Sequence, residues 1–167
     1  MPEKFRKVGL KEEFLKIIRE HGFTEPTEIQ VKTIPLALAG KDVIGGSATG
    51  SGKTLAFGAA ILEHAQRGEG IQALILTPTR ELAEQVSKAL HMFSKFKHLK
   101  IASVYGGVSI VPQMDQLRDS EIVVGTPGRI LDHLSRRTID LSPVKFLVLD
   151  EADRMLDMGF LDDVEKI

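Results

Sequence analysis

An α/β domain, with a parallel β-sheet carrying helices on both faces, is what the pattern of apolar runs in this chain predicts. Five short runs stand out: Val43–Ile44, Ala73–Leu76, Ile101–Val104, Ile122–Val124 and Phe146–Leu149, starting roughly 20 to 30 residues apart. Segments with helical spacing separate them, and strand alternating with helix at this interval gives βαβ units. The runs are continuous rather than alternating, as expected of strands covered on both sides. Finally, every glycine-rich or polar cluster follows a run, where an open parallel sheet binds its ligands.

Taken along the chain, the first elements are two helices, at about 10–21 and 27–38. Gly22 suits the C′ position that ends the first, Thr27 suits the N-cap of the second, and Pro35 should kink or shorten that second helix. The first run, Val43–Ile44, is read as a strand, followed by SATGSGKT (47–54). The second leads into TPTREL (77–82) and a helix over 80–93, where Leu82, Val86, Ala89, Leu90 and Phe93 share a face. The third leads into YGG (105–107), and the fourth into GTPGR (125–129) and a helix over 127–135 with Pro127 in its first turn. The fifth ends in DEAD (150–153). The chain divides into an N-terminal helix with its following segment, 1–30, and the sheet domain, 31–167.

Composition narrows the function classes. The 167 residues suit one domain with a real core, and 43% hydrophobic with 27% charged residues is an ordinary globular balance. No apolar run reaches the length of a membrane span, and the charged start MPEKFRKVGLKEEF lacks the apolar block of a signal peptide. The expectation is a cytoplasmic protein without a membrane partner. The absence of cysteine excludes disulfides and thiolate metal sites. The five histidines, His21, His64, His91, His98 and His133, never fall at metal-ligand spacing and read as surface or helix-end residues. A net charge of −1 is unlike a dedicated, strongly basic nucleic-acid module, so any nucleic-acid contact has to be local.

SATGSGKT has the chemistry of a phosphate loop. Backbone N–H groups can converge on an anion only where side chains do not block them, so the loop needs small residues and glycines. Gly50 and Gly52 permit the turn, with Ala48, Thr49 and Ser51 around them. The helix beginning near Lys53 points its N-terminal amides at the anion. Lys53 would reach the β- and γ-phosphates and Thr54 would hold Mg²⁺. The pattern G-x-x-x-x-G-K-[ST] departs at its first position, where Ser47 stands with Gly46 before it; serine is small enough for the place. The bland alternative is a glycine-rich turn joining strand to helix.

LVLDEAD (147–153) places Asp150 at the tip of an apolar strand with Glu151 next to it. Such a carboxylate can hold Mg²⁺ through water, and its neighbour can orient and deprotonate an attacking water. Alone, the same residues could be a solvated acidic turn capping a helix. Together with SATGSGKT they form one scheme, with nucleotide on one side and metal and water on the other.

At this point the sequence resembles the first, RecA-like domain of a DEAD-box RNA helicase. The motifs are GFTEPTEIQ (22–30), SATGSGKT, PTRELA (78–83), GG (106–107), TPGR (126–129) and DEADRMLDMGF (150–160), in family order. The resemblance implies a RecA-like P-loop NTPase fold, ATP and Mg²⁺ as cofactors, and RNA as partner. It implies that Gln30 reads adenine, that Phe23 stacks on the base and that Thr27 supports the loop. Lys53 and Thr54 take the phosphate and magnesium roles, Asp150 the metal, and Glu151 the general base. Asp153 links the nucleotide site to the RNA motifs. Pro78, Thr79, Arg80, Gly107, Thr126, Pro127, Gly128 and Arg129 match the positions that grip the RNA backbone, a contact without sequence information and sensitive to salt. Other arginines, such as Arg136 and Arg137, read as solvated helix ends.

The family's loop usually opens with alanine and glutamine where Ser47 and Ala48 stand, which should loosen one contact near the phosphates without abolishing binding. The resemblance also implies a further strand ending in Ser-Ala-Thr, beside the phosphate-loop strand, and a second RecA-like domain bearing the arginines that reach the γ-phosphate. These are not in the 167 residues, so the fragment is expected to bind nucleotide and to turn over poorly. Two other readings stay open: a non-catalytic nucleotide- or RNA-binding module, and a helicase-like ATPase acting on DNA.

Overall fold

A computed structural model describes residues 3–48 and 50–167. The chain forms two compact units. One runs to His64 and takes in Met92–His98; the other comprises Ala65–His91 and Leu99–Ile167.

In the first unit, a short helix α1 (Glu3–Lys7) precedes α2 (Glu12–Glu20), α3 (Glu28–Leu38) and α4 (Lys53–His64). α2 ends as its sequence demands: Gly22 takes φ +74° and donates its N–H to the Arg19 carbonyl at 3.1 Å. Thr27 is the extended N-cap of α3, and Pro35 lies inside that helix, which stops at Leu38. Buried Phe14 stacks on Phe93 and meets Phe96 edge-on, with centroids 6.0 and 5.4 Å apart. Glu63, itself buried, accepts the Lys11 N–H at 3.4 Å, and the Lys11 ammonium lies 3.1 Å from it. This ties the start of α2 to the end of α4.

The second unit holds a four-stranded, wholly parallel sheet: β1 (Ala73–Leu76), β2 (Ile101–Val104), β3 (Ile122–Gly125) and β4 (Phe146–Leu149), in the order β2-β3-β1-β4. Helix α5 (Arg80–Phe93) follows β1 and α7 (Pro127–Ser135) follows β3, both with the bounds that helical spacing predicts. α6 (Val111–Leu117), α8 (Ala152–Asp157) and α9 (Leu161–Lys166) complete the unit. One sheet face packs Leu74, Leu76, Ala102, Val104 and Val123 against Leu117, Ile130 and Met155 of α6, α7 and α8. On the opposite face the Ser103 hydroxyl meets the Ser87 hydroxyl of α5 at 2.7 Å. Helices thus cover both faces of the sheet.

Two expectations need correction. Val43–Ile44 is not a strand: neither residue belongs to the sheet, and Ile44 is fully exposed. An extended apolar pair becomes a strand only with a neighbour to complete its ladder, and β1 is the sole described partner of β4. Of the surface and helix-end readings of His133 only the second holds, for it lies in the last turn of α7 and is completely buried. It lies three residues after buried Ile130 on the inward stripe of α7, a spacing that would have revealed its burial.

Candidate nucleotide and nucleic-acid site

In the first unit, residues 47–48 and 50–52 lead into α4. Gly50 and Gly52 take φ +78° and +85°, conformations that side chains with a Cβ resist. The Lys53 ammonium donates to the Ser47 carbonyl at 3.2 Å, and the Ser51 N–H to the Ala48 carbonyl at 3.2 Å. The Ser47 and Ser51 hydroxyls hydrogen-bond each other, so the departure from glycine at position 47 adds a clasp across the loop. Thr54 is half-buried in the first turn of α4, while Thr49 lies outside the described residues.

Gln30 is 2% exposed, and its whole amide is engaged. Oε1 accepts the Thr27 N–H at 2.9 Å, and Nε2 donates to the Gly52 carbonyl at 3.1 Å. The residue expected to read adenine is thus, in this state, a strut between the start of α3 and the phosphate loop. A Cβ on residue 52 would fall 2.3 Å from Gln30 Nε2, which is why the loop carries glycine there. Phe23 is 38% exposed, with its ring 5.9 Å from that of Phe93. Thr27 is exposed at the N-cap.

In the second unit, the sheet brings the other motifs to one edge. Parallel strands end together, so the segments after β2, β3, β1 and β4 emerge side by side in that order. Asp150 directly follows β4: it is 9% exposed, and its N–H donates to the Leu76 carbonyl at 2.9 Å. Glu151 follows in the left-handed region, at φ 52° and ψ 50°, as N-cap of α8. Its carboxylate accepts from Arg154 at 3.3 Å, while Asp153 is exposed in the first turn of α8.

The RNA-motif residues lie on the three adjacent strand ends. Pro78 is buried; Thr79 Oγ1 accepts the Leu82 N–H at 3.2 Å, fixing the start of α5. Arg80 is exposed, 4.9 Å above the Tyr105 ring and 3.3 Å from Glu84. Tyr105 donates its hydroxyl to the same carboxylate at 2.8 Å. This bond, with Arg80 beside it, holds the Glu84 carboxyl below its usual range; the same bond, with burial, raises the phenol of Tyr105 against the opposing pull of Arg80. Gly107 takes φ +80°. Thr126 is the extended N-cap of α7, with Pro127 and exposed Gly128 in its first turn. Half-buried Arg129 donates to the Gln113 side chain at 3.1 Å and to the Val108 carbonyl at 3.0 Å.

Sequence reasoning missed Glu84, Tyr105, Gln113 and His133. Glu84 and Gln113 belong to no short motif, Tyr105 opens the YGG cluster without a role legible there, and only the helical spacing of His133 signalled its place.

A Mg²⁺ ion prefers hard oxygen ligands, and the Thr54 hydroxyl and Asp150 carboxylate are such donors. Among the described residues, no group of three or more histidine and carboxylate side chains is arranged to hold a metal by itself. No described helix is long and apolar enough to cross a membrane.

The chain is 54% identical over 166 residues to the ATP-dependent RNA helicase CshA of Listeria monocytogenes, covering 98% of this chain and 32% of that protein. It is 48% identical over 165 residues to the DEAD-box ATP-dependent RNA helicase CshA of Geobacillus kaustophilus, again covering 98% of this chain, and 35% of the relative. A crystal structure of a DEAD box protein from Methanococcus jannaschii superposes with a TM-score of 0.94 at 49% identity, over 98% of this chain and 45% of that one. The chain thus spans about a third of the length of these curated relatives. The family profile described as DEAD/DEAH box helicase matches residues 27–167. By that match and those identities, the chain belongs to the DEAD/DEAH box helicase family.

Proposed function

We propose that this chain is the ATP-binding domain of an ATP-dependent RNA helicase, one that couples Mg-ATP binding and hydrolysis to RNA binding and local duplex unwinding. The observation that carries the reading is the common edge of the sheet. There, Arg80, Gly107 and the Thr126–Arg129 turn stand on adjacent strand ends, and the Asp150–Glu151 turn on the next. The activities for which the relatives are named and the motif order support it.

In this reading the 47–54 loop and the start of α4 bind the phosphates, with Lys53 exchanging its bond to the Ser47 carbonyl for the β- and γ-phosphates. Phe23, Thr27 and Gln30 take the adenine end, Gln30 turning at least one amide group from its internal partners to the base. Thr54 and Asp150 would hold Mg²⁺, which when bound neutralises charge on the phosphate oxygens. Glu151 positions and deprotonates water. Asp153 couples the nucleotide site to the RNA motifs. RNA is held by its sugar-phosphate backbone. The residues up to 30 form the helix and adenine-reading segment, and the protein works in the cytoplasm.

Hydrolysis and unwinding need a second RecA-like domain, because an arginine supplied to the γ-phosphate raises such rates by about a thousandfold or more. The test is titration of a fluorescent ATP analogue with Mg²⁺, followed by ATPase assays with and without RNA. Saturable nucleotide binding with barely detectable turnover by these 167 residues is expected. Robust RNA-stimulated turnover by the chain alone, or no binding, would overturn the assignment.

A further inference from the structure

Gln113 has no part in the scheme above, yet it is 5% exposed and every polar atom of its side chain is used. Nε2 donates to the Tyr105 carbonyl at 3.0 Å. Oε1 accepts from Arg129 Nη1 at 3.1 Å and lies 3.1 Å from His133 Nε2. A guanidinium can only donate, so Oε1 is the acceptor and His133 Nε2 carries a proton toward it. His133 Nδ1 lies 2.7 Å from the Thr138 hydroxyl, which donates to the His133 carbonyl at 3.3 Å. From one side chain, bonds therefore reach the segment after β2, the TPGR arginine and the helix that follows it.

We infer that Gln113 is a positioning residue for RNA binding, holding Arg129 and the Tyr105–Val108 segment in the arrangement that meets the RNA backbone. The inference rests on the RNA reading above. A buried amide is unfavourable unless fully bonded, and an apolar side chain of similar volume would fill the space without that requirement. All three bonds of Gln113 end on the RNA-motif segments or on the helix that carries one of them. Arg129 uses one N–H on Gln113 and another on the Val108 carbonyl, which leaves three of its five donors for phosphate oxygens. Without the tether, a long side chain has to be ordered on binding, which weakens affinity. Tyr105 extends the arrangement through Glu84 to Arg80, so both arginines are set by one connected group of side chains.

A double-mutant cycle separates this role from simple support of the fold. RNA affinity is read from the anisotropy of a labelled single-stranded oligouridylate at low salt, and thermal melting is followed in parallel. Gln113→Met is expected to weaken binding by about three- to tenfold in the presence of Arg129, and to have a clearly smaller effect in an Arg129→Ala background. Equal losses in both backgrounds would show a general structural role and overturn the inference, as would unchanged affinity in Gln113→Met while Arg129→Ala weakens binding. Failure of the unaltered chain to bind RNA, or of Arg129→Ala to weaken binding, would overturn the RNA reading itself, and the inference with it. Should Gln113→Met not fold, Gln113→Asn keeps the amide but withdraws it by one methylene; the same dependence on Arg129 is expected, and its absence is equally decisive.

Discussion

The side-chain amide of Gln30 donates to the carbonyl of Gly52 at 3.1 Å, and a Cβ on residue 52 would lie 2.3 Å from that amide nitrogen. The start of α3 and the loop before α4 are thus joined at a point where any side chain on residue 52 would have to displace the Gln30 amide.

Gly52→Ala forces two losses: an L-residue at φ +85°, and displacement of a buried amide from both its partners. We expect it to destabilise the domain by about 1–3 kcal/mol. Gly50→Ala is the control, since it shares a positive φ of +78° but a Cβ there would meet nothing within 4 Å. Thermal melting should rank Gly52→Ala well below Gly50→Ala. Equal melting temperatures would mean the Gln30 contact contributes nothing.

Lys53 and Glu151 should fail differently. In a protein that includes the second domain, Lys53→Ala loses nucleotide affinity, whereas Glu151→Gln keeps it and loses turnover by roughly a hundredfold or more. Equilibrium binding and single-turnover hydrolysis distinguish the two. Indistinguishable behaviour would refute the division of labour.

Much of this was legible in the chain itself. The bounds of α5 and α7 follow from apolar spacing and from Pro127, and all four sheet strands follow from continuous apolar runs. The small-residue segment at 47–54 and the acidic turn at 150–151 stand out in the sequence as local chemistry. What was not legible depends on neighbours. Val43–Ile44 reads as strand locally but has no ladder partner. Gln113 and Tyr105 acquire roles only because β2 lies beside β3.

Salt should report the arginines. Each phosphate contact on single-stranded nucleic acid contributes about 0.7 to the slope of log affinity against log salt. Arg80→Ala and Arg129→Ala should each lower that slope by about this amount, whereas Arg137→Ala should leave it unchanged. Titrations at several salt concentrations check this; a full slope in both variants would remove these arginines from the RNA contact.

His133 makes stability depend on pH. Burial first, and then the neighbouring Arg129, lowers its pKa in the folded state; Asp132 opposes this and Arg136 adds to it. The unfolded chain therefore binds a proton at higher pH than the folded one. Its contribution to stability is whole above about pH 6.5 and is lost as pH falls toward the lower folded value. Urea midpoints across this window should fall more steeply for the unaltered chain than for His133→Asn. Parallel curves would show that the ring titrates normally.

β4 has β1 as its one described partner, and its Leu147 and Leu149 are 59% and 41% exposed. An apolar open edge invites pairing between chains. Leu147→Lys should reduce light scattering at high concentration without lowering the melting temperature; unchanged scattering would clear this edge of blame.

Residues 42–46 are all exposed, and none of them joins a sheet ladder. Their amide hydrogens should exchange with deuterium nearly as fast as those of a free peptide, while the central strands β1 and β3 retain theirs longest. The tether on one side of the phosphate loop is therefore a built-in reporter. Slower exchange along 42–52 on adding ATP would register occupancy directly from the protein, without a dye.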